Sequence, residues 1–189
     1  MSLEYVLKNN GIDITKDVEV ITNIATNLAG GAFQGGTGDF VALFEPTGSL
    51  IEKEGTGYIV ASIGEAAGTI PYTSFYTTKS YLENNKDVIE RFTRAIYKAQ
   101  TWVLENTDEA VAKSIISFFP GTDEELVARV VKNLRAIEAF APDPSFKEAD
   151  VTRLMDIIES YNKELLPQRP SFEDFVNNEF STKVINNTK

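Results

Sequence analysis

Glu45 ends an apolar run at residues 40–44 and stands directly before Pro46 and Thr47. A carboxylate in that place has two uses. Pro46 is a favoured first residue of a helix, and an acid at a helix N-terminus is stabilised by the dipole by roughly 0.3–1 kcal/mol. The same carboxylate can accept hydrogen bonds from a solute, and the two uses are compatible. Just upstream, Gly35, Gly36 and Gly38 suggest a different chemistry, a glycine-rich loop around a phosphate. Such a loop follows a strand and opens a helix, so that free N–H groups meet the anion. Here the order is reversed: the glycines follow a helical stretch and precede the apolar run. The Walker lysine and Ser/Thr are missing, and GGTG does not fit G-x-G-x-x-G. A helix C-cap followed by a tight turn is the better reading.

The residue inventory narrows the chemistry further. The chain has no cysteine and no histidine. Disulfides, thiolate nucleophiles, Cys/His zinc sites and histidine general bases are therefore excluded. A magnesium or calcium site built from carboxylates alone stays open, but no D-x-D-x-D-G loop supports one. Paired Asp/Glu catalysis also stays open, with no spacing that points to it. The net charge is −10, and residues 1–78 carry only Lys8, Lys16 and Lys53 as cations. A chain so charged repels polyanions, which argues against nucleic acid. Hydrophobic residues make up 42% and charged residues 24%, a composition that supports a folded core. No run approaches the roughly 18–20 apolar residues needed to span a bilayer, and no secretory signal is visible at MSLEYVLKNNG.

The elements that must hold Glu45 follow from periodicity and punctuation. Helices are expected over 3–9, 28–33 and 47–54, and strands over 18–22, 40–44 and 58–63. Short connections between alternating strands and helices imply parallel pairing with right-handed crossovers. The segment GEAAGTIP at 64–71 is the expected boundary, and residues 73–78 read as one more strand. Beyond it the chain turns helical, with Val88, Ile89, Phe92, Ala95, Ile96, Ala99 and Val103 at helical spacing. Capping boxes Thr122-x-x-Glu125 and Ser145-x-x-Glu148 mark two later helix starts. Their apolar stripes are Leu126, Val130, Leu134, Ile137 and Val151, Leu154, Ile158, Tyr161. Ser171 opens a short last helix, and the tail STKVINNTK is expected to fray. In an open parallel sheet, ligands sit beyond the carboxyl ends of the strands. Those ends are Thr22-Asn23, Glu45-Pro46-Thr47 and residues 62–65.

GDFVALFEPTGSLIEKEGTGYIVASIGE, followed by IPYTSFYTTKSYLENNKDVIERFTRAIYKAQTWVLEN, resembles the substrate-binding proteins of ABC importers. The nearest group is that of the nitrate/sulfonate/taurine and thiamine-pyrimidine-precursor binding proteins. The likeness rests on Gly-Asp before a strand, Glu-Pro at its end, a Pro-Tyr crossing strand, and Lys79, Asn85 and Phe92 at a helix start. It runs from about Leu3 to Val184.

The resemblance implies an α/β, type II periplasmic-binding-protein-like fold: a parallel sheet flanked by helices, followed by a helical C-terminal part. Residues 1–70 would form most of the second lobe, and residues 71–189 the crossing strand and the helical end of the first. The pocket would be lined by Asn23, Phe44, Glu45, Pro46, Thr47 and Tyr72, with no catalytic residue, metal or cofactor. The expected partners are a small solute and the permease and ATPase of an importer. The expected location is extracytoplasmic, held there as a lipoprotein. Relatives of the family that make the thiamine pyrimidine depend on a histidine and a lysine, and this chain has no histidine. The enzyme is thus the alternative reading, beside an inactive fragment. By the same resemblance the chain corresponds to the C-terminal part of a binding protein, and its uncovered apolar faces lead us to expect self-association.

Overall fold

The computed structural model describes residues 1–187. In chain order its helices are α1 (Ser2–Asn9), α2 (Thr26–Gln34), α3 (Thr47–Lys53), α4 (Ile63–Ala67), α5 (Lys79–Asn84) and α6 (Lys86–Glu105). They continue with α7 (Asp108–Ile115), α8 (Glu124–Ala136), α9 (Glu148–Tyr161), α10 (Phe172–Phe175) and α11 (Glu179–Asn186). The chain divides into two compact units: Met1–Gly68 with Thr107–Ala139, and Thr69–Asn106 with the chain from Phe140 onward.

The expected parallel sheet is not there. Among the described residues no segment is a strand, and 18–22, 40–44, 58–62 and 73–78 run without regular structure. The physical reason lies in what an apolar run specifies. Alternation and β-branching favour a pleated, half-buried surface, but a strand exists only where a neighbour completes its hydrogen-bond ladder. Among the described residues these runs have no such neighbour, and while Val20, Val41 and Leu43 are half-buried, their aromatic side chains face solvent: Phe40 is 80% exposed, Tyr58 82% and Tyr76 98%. The end of the third expected strand becomes helix instead. Ile63 opens α4, where Ser62 Oγ accepts the Glu65 N–H at 3.2 Å.

In the first unit α7 packs on α8, α1 on α4, and α3 on both α2 and α8. Val111 and Ala112 of α7, Leu126, Val127 and Val131 of α8, Ile51 of α3 and Ala67 of α4 form its buried core. The α8 stripe is thus centred on Val127 and Val131, while Val130, Leu134 and Ile137 are half-buried. Asp123, one residue later than the expected Thr122, caps α8, its carboxylate accepting the Leu126 N–H at 2.8 Å.

In the second unit α11 packs along the 20-residue α6, and Val151, Ile157, Phe180 and Val184 are buried. The expected box at Ser145 does not form. Helix α9 starts only at Glu148, and the Ser145 N–H is held by Asp143 at 2.8 Å. Ser171 does precede a short helix, with Asp174 accepting its N–H at 3.1 Å. The tail is a correction. Residues 181–186 belong to α11, with Ser181 and Val184 buried, because Phe180 and Val184 give that helix an apolar face for α6. Residues 188–189 of that tail lie outside the described residues.

Candidate functional site

The glycine stretch resolves into a helix ending. Gly36 takes φ +92° just past α2, its N–H bonds to the Phe33 carbonyl at 2.9 Å, and the Thr37 N–H reaches the Ala32 carbonyl at 2.9 Å. Those two bonds around a left-handed residue are a Schellman motif. Gly35 also donates, to the Gly31 carbonyl at 2.9 Å. Three successive N–H groups, those of Gly35, Gly36 and Thr37, are therefore spent on the end of α2 and do not point outward for a phosphate.

Downstream, α2 supports the start of α3 through a close approach at Gly30. A Cβ added there would lie 3.1 Å from Thr47 Cγ2 and 3.4 Å from Ile51 Cδ1. The chain enters α3 through a cis Glu45-Pro46 peptide. The first amides of α3 all find partners within the turn. Thr47 and Gly48 donate to the Phe44 carbonyl at 3.0 and 3.3 Å, and Leu50 to the Pro46 carbonyl at 2.9 Å. Ser49 donates to Glu45 Oε2 at 3.0 Å. A helix start normally leaves four N–H groups unpaired. This one leaves none in its first turn, so it offers nothing to an oxyanion.

Glu45 itself is half-buried and held from two helices. Its Oε1 accepts from Ser49 Oγ at 2.8 Å and from Asn133 Nδ2 at 3.2 Å; Asn133 also approaches Ser49 Oγ at 3.3 Å. Ser49 is fully buried. Asn133 belongs to α8, 88 residues along the chain from Glu45. A second tie joins the same two helices: Lys53, the last residue of α3, pairs with Asp123 at the cap of α8. The Lys53 ammonium, helped by the Leu126 N–H, holds the Asp123 carboxyl below its ordinary range.

The structure thus brings Glu45, Pro46 and Thr47 together in one turn, with Phe44 beside them at 59% exposure. Asn23 is exposed and takes no part in the hydrogen-bond cluster around Glu45. Tyr72 lies in the second unit and is 75% exposed. Ser49 and Asn133 were not among the residues expected from the sequence. Ser49 lies at i+4 from Glu45, a spacing that could have flagged it once α3 was placed. Asn133 had no local signal at all. A shallow groove of about 460 Å³ lies elsewhere in the first unit, lined by Lys8, Gly11, Ile12, Asp13, Ile14 and Thr15. Among the described residues no group of three or more acidic, His or Cys side chains is placed to hold a metal ion, and no helix is long and apolar enough to cross a membrane.

Comparison with known proteins gives a family and a relative. The chain is 39% identical over 181 residues to the Bacillus subtilis (strain 168) protein named "Putative binding protein YtlA". That match covers 96% of this chain and 54% of the relative, so the chain spans about half the relative's length. No solved structure matches the chain. The NMT1-like family matches residues 1–117, well over half of the sequence. The resemblance carried by the Gly-Asp, Glu-Pro and Pro-Tyr motifs is therefore upheld: the chain belongs to the NMT1-like family, a nitrate/sulfonate/taurine-type binding family.

Proposed function

We propose that this chain is part of the solute-binding component of an ABC importer. In this reading its first unit offers a hydrogen-bond-accepting wall to a small amino-bearing solute such as a thiamine pyrimidine precursor. The observation that carries the reading is the turn at Glu45: a fixed carboxylate beside Phe44, with the amides of the α3 first turn already satisfied. A fixed acceptor whose preceding residue is an exposed aromatic, Phe44, suits a flat heterocycle with amino or ring N–H donors. Nitrate or a bare sulfonate needs donors or cations. Of the three lysines in residues 1–78, Lys16 is paired with Asp13 and Lys53 with Asp123.

Asn23, Phe44, Glu45, Pro46 and Thr47 are the proposed contact residues of the first unit, and Tyr72 is a separate proposed contact in the second. The lobe contributions are proposed as 1–70 and 71–189, except that Thr107–Ala139 packs with the first unit. The permease and ATPase partners and the extracytoplasmic setting belong to the same proposal. The name of the relative and the family both favour binding over catalysis. Calorimetric titration of the full chain with 4-aminopyrimidine tests the site. Replacing Glu45 by Gln should weaken binding at least several-fold, because a neutral amide forms weaker hydrogen bonds to the donor groups. Unchanged affinity would leave Glu45 as a cap of α3 and nothing more.

A further inference from the structure

We propose that Asn133 of α8, together with the Ser49 hydroxyl, is a positioning residue for the solute: the pair orients the Glu45 carboxylate so that one acceptor position on Oε2 faces the ligand. This rests on the reading of Glu45 as a solute contact and adds the residues that make it selective.

Donors and acceptors at Glu45 fix which position is left for a ligand. An ionised carboxylate has about four lone-pair positions, two on each oxygen. On Glu45, Oε1 takes two donors, Ser49 Oγ at 2.8 Å and Asn133 Nδ2 at 3.2 Å. Oε2 takes one, the Ser49 N–H at 3.0 Å. Three positions are filled by the protein, and the fourth is on Oε2. A carboxylate fixed by three donors from two helices cannot swing to pair with an arbitrary cation; it presents one acceptor in one direction. That geometry matches a single directed N–H better than a diffuse charge.

The clamp also explains two placements that a simple cap does not need. Capping α3 is complete once Glu45 takes the Ser49 N–H. The contact from Asn133, 88 residues away, satisfies no first-turn N–H; besides Glu45 it reaches the Ser49 hydroxyl, at 3.3 Å. It ties the carboxylate to a helix that is joined to α3 a second time, by Lys53 and Asp123. Ser49 is fully buried and its hydroxyl donates to Glu45, so one small polar group is sequestered to serve that carboxylate. Losing Asn133 frees Oε1 on one side and lets the carboxylate rotate, while α3 keeps its cap.

The test is a double-mutant cycle on the full chain, read by calorimetric titration with 4-aminopyrimidine beside thermal denaturation. Asn133→Ala should weaken binding about three- to tenfold, in line with one hydrogen bond to a charged group lost from a partly exposed site. In a Glu45→Gln background the same change should add almost nothing, because Asn133 acts through that carboxylate. Ser49→Ala, which keeps the N–H bond and loses the hydroxyl, is the second variant should Asn133→Ala fold poorly, and it should behave alike. Additive losses in the cycle, or wild-type affinity in both variants, overturn the assignment while leaving Glu45 as a contact. Absence of any binding by the wild-type chain overturns the assignment and the solute reading together.

Discussion

Glu138 is the residue at which sequence and backbone disagree most plainly. Helix α8 ends as α2 does, with the Glu138 N–H on the Arg135 carbonyl at 3.0 Å and the Ala139 N–H on the Leu134 carbonyl at 2.9 Å. Gly11 and Gly55 close α1 and α3 through the same pair of bonds, each with positive φ. At α8 the left-handed position is held by a glutamate at φ +52°. A Cβ in that region costs roughly 1–2 kcal/mol. Glu138→Gly should therefore raise the stability of the chain by about 0.5–1 kcal/mol once glycine's larger chain entropy is deducted. A rise in urea midpoint at unchanged slope is the expected observation, and a fall contradicts the motif.

A second residue carries the pH dependence. Asp13 accepts from Lys16 Nζ at 2.7 Å, Thr15 Oγ1 at 2.7 Å and the Thr15 N–H at 2.9 Å. The lysine contact first, then the threonine bonds, lowers its carboxyl from 3.8 to about 2. A depressed folded value means the turn at residues 13–17 gains from ionised Asp13 above pH 3.8 and loses that gain as pH falls through about 2. Carbon-detected titration of the Asp13 side chain should show its midpoint near 2. Asp13→Asn should remove the acid-dependent shift of the Thr15 amide; a midpoint at the ordinary aspartate value contradicts the turn.

At the scale of elements, the punctuation was readable and the pairing was not. Gly11, Gly36 and Gly55 mark the ends of three helices because a left-handed residue is a local requirement that only a few side chains meet. Glu45-Pro46 marks the start of α3 for a similar reason. The sheet was misread because its signal, apolar β-branched runs at 18–22, 40–44 and 58–63, states a preference for burial and names no partner. Asn133 was invisible for the same reason, since an asparagine on a helix face has no pattern until α8 is laid against α3. The packing of α2 on α3 makes its own prediction at Gly57. An added Cβ would stand 2.8 Å from Ile51 Cγ2 and 3.0 Å from Phe33 Cε1, and Ile51 is buried. Gly57→Ala should destabilise the first unit by roughly 1–3 kcal/mol through overpacking. Denaturation at wild-type stability would mean that the junction yields.

Over the molecule as a whole, exposed apolar surface is the feature that asks for an account. Phe40, Tyr58 and Val60 of the first unit are 80%, 82% and 74% exposed, and Tyr72, Phe75 and Tyr76 of the second are 75%, 66% and 98% exposed. Surface of this kind is normally covered by another molecule or another copy. The chain should self-associate at micromolar concentration, read as a mass above 20.9 kDa by light scattering; a clean monomer contradicts this. The same runs fall in the stretch that matches the NMT1-like family, and the chain spans about half of its relative.

The central claim is that the Glu45 turn accepts hydrogen bonds from its solute and gives none to an anion. Titration of the unmodified chain with three probes, 4-aminopyrimidine, nitrate and ethanesulfonate, measures this most directly. The account predicts saturable heat with the aminopyrimidine and none with either anion. Binding of nitrate or ethanesulfonate, with no heat from the aminopyrimidine, contradicts it.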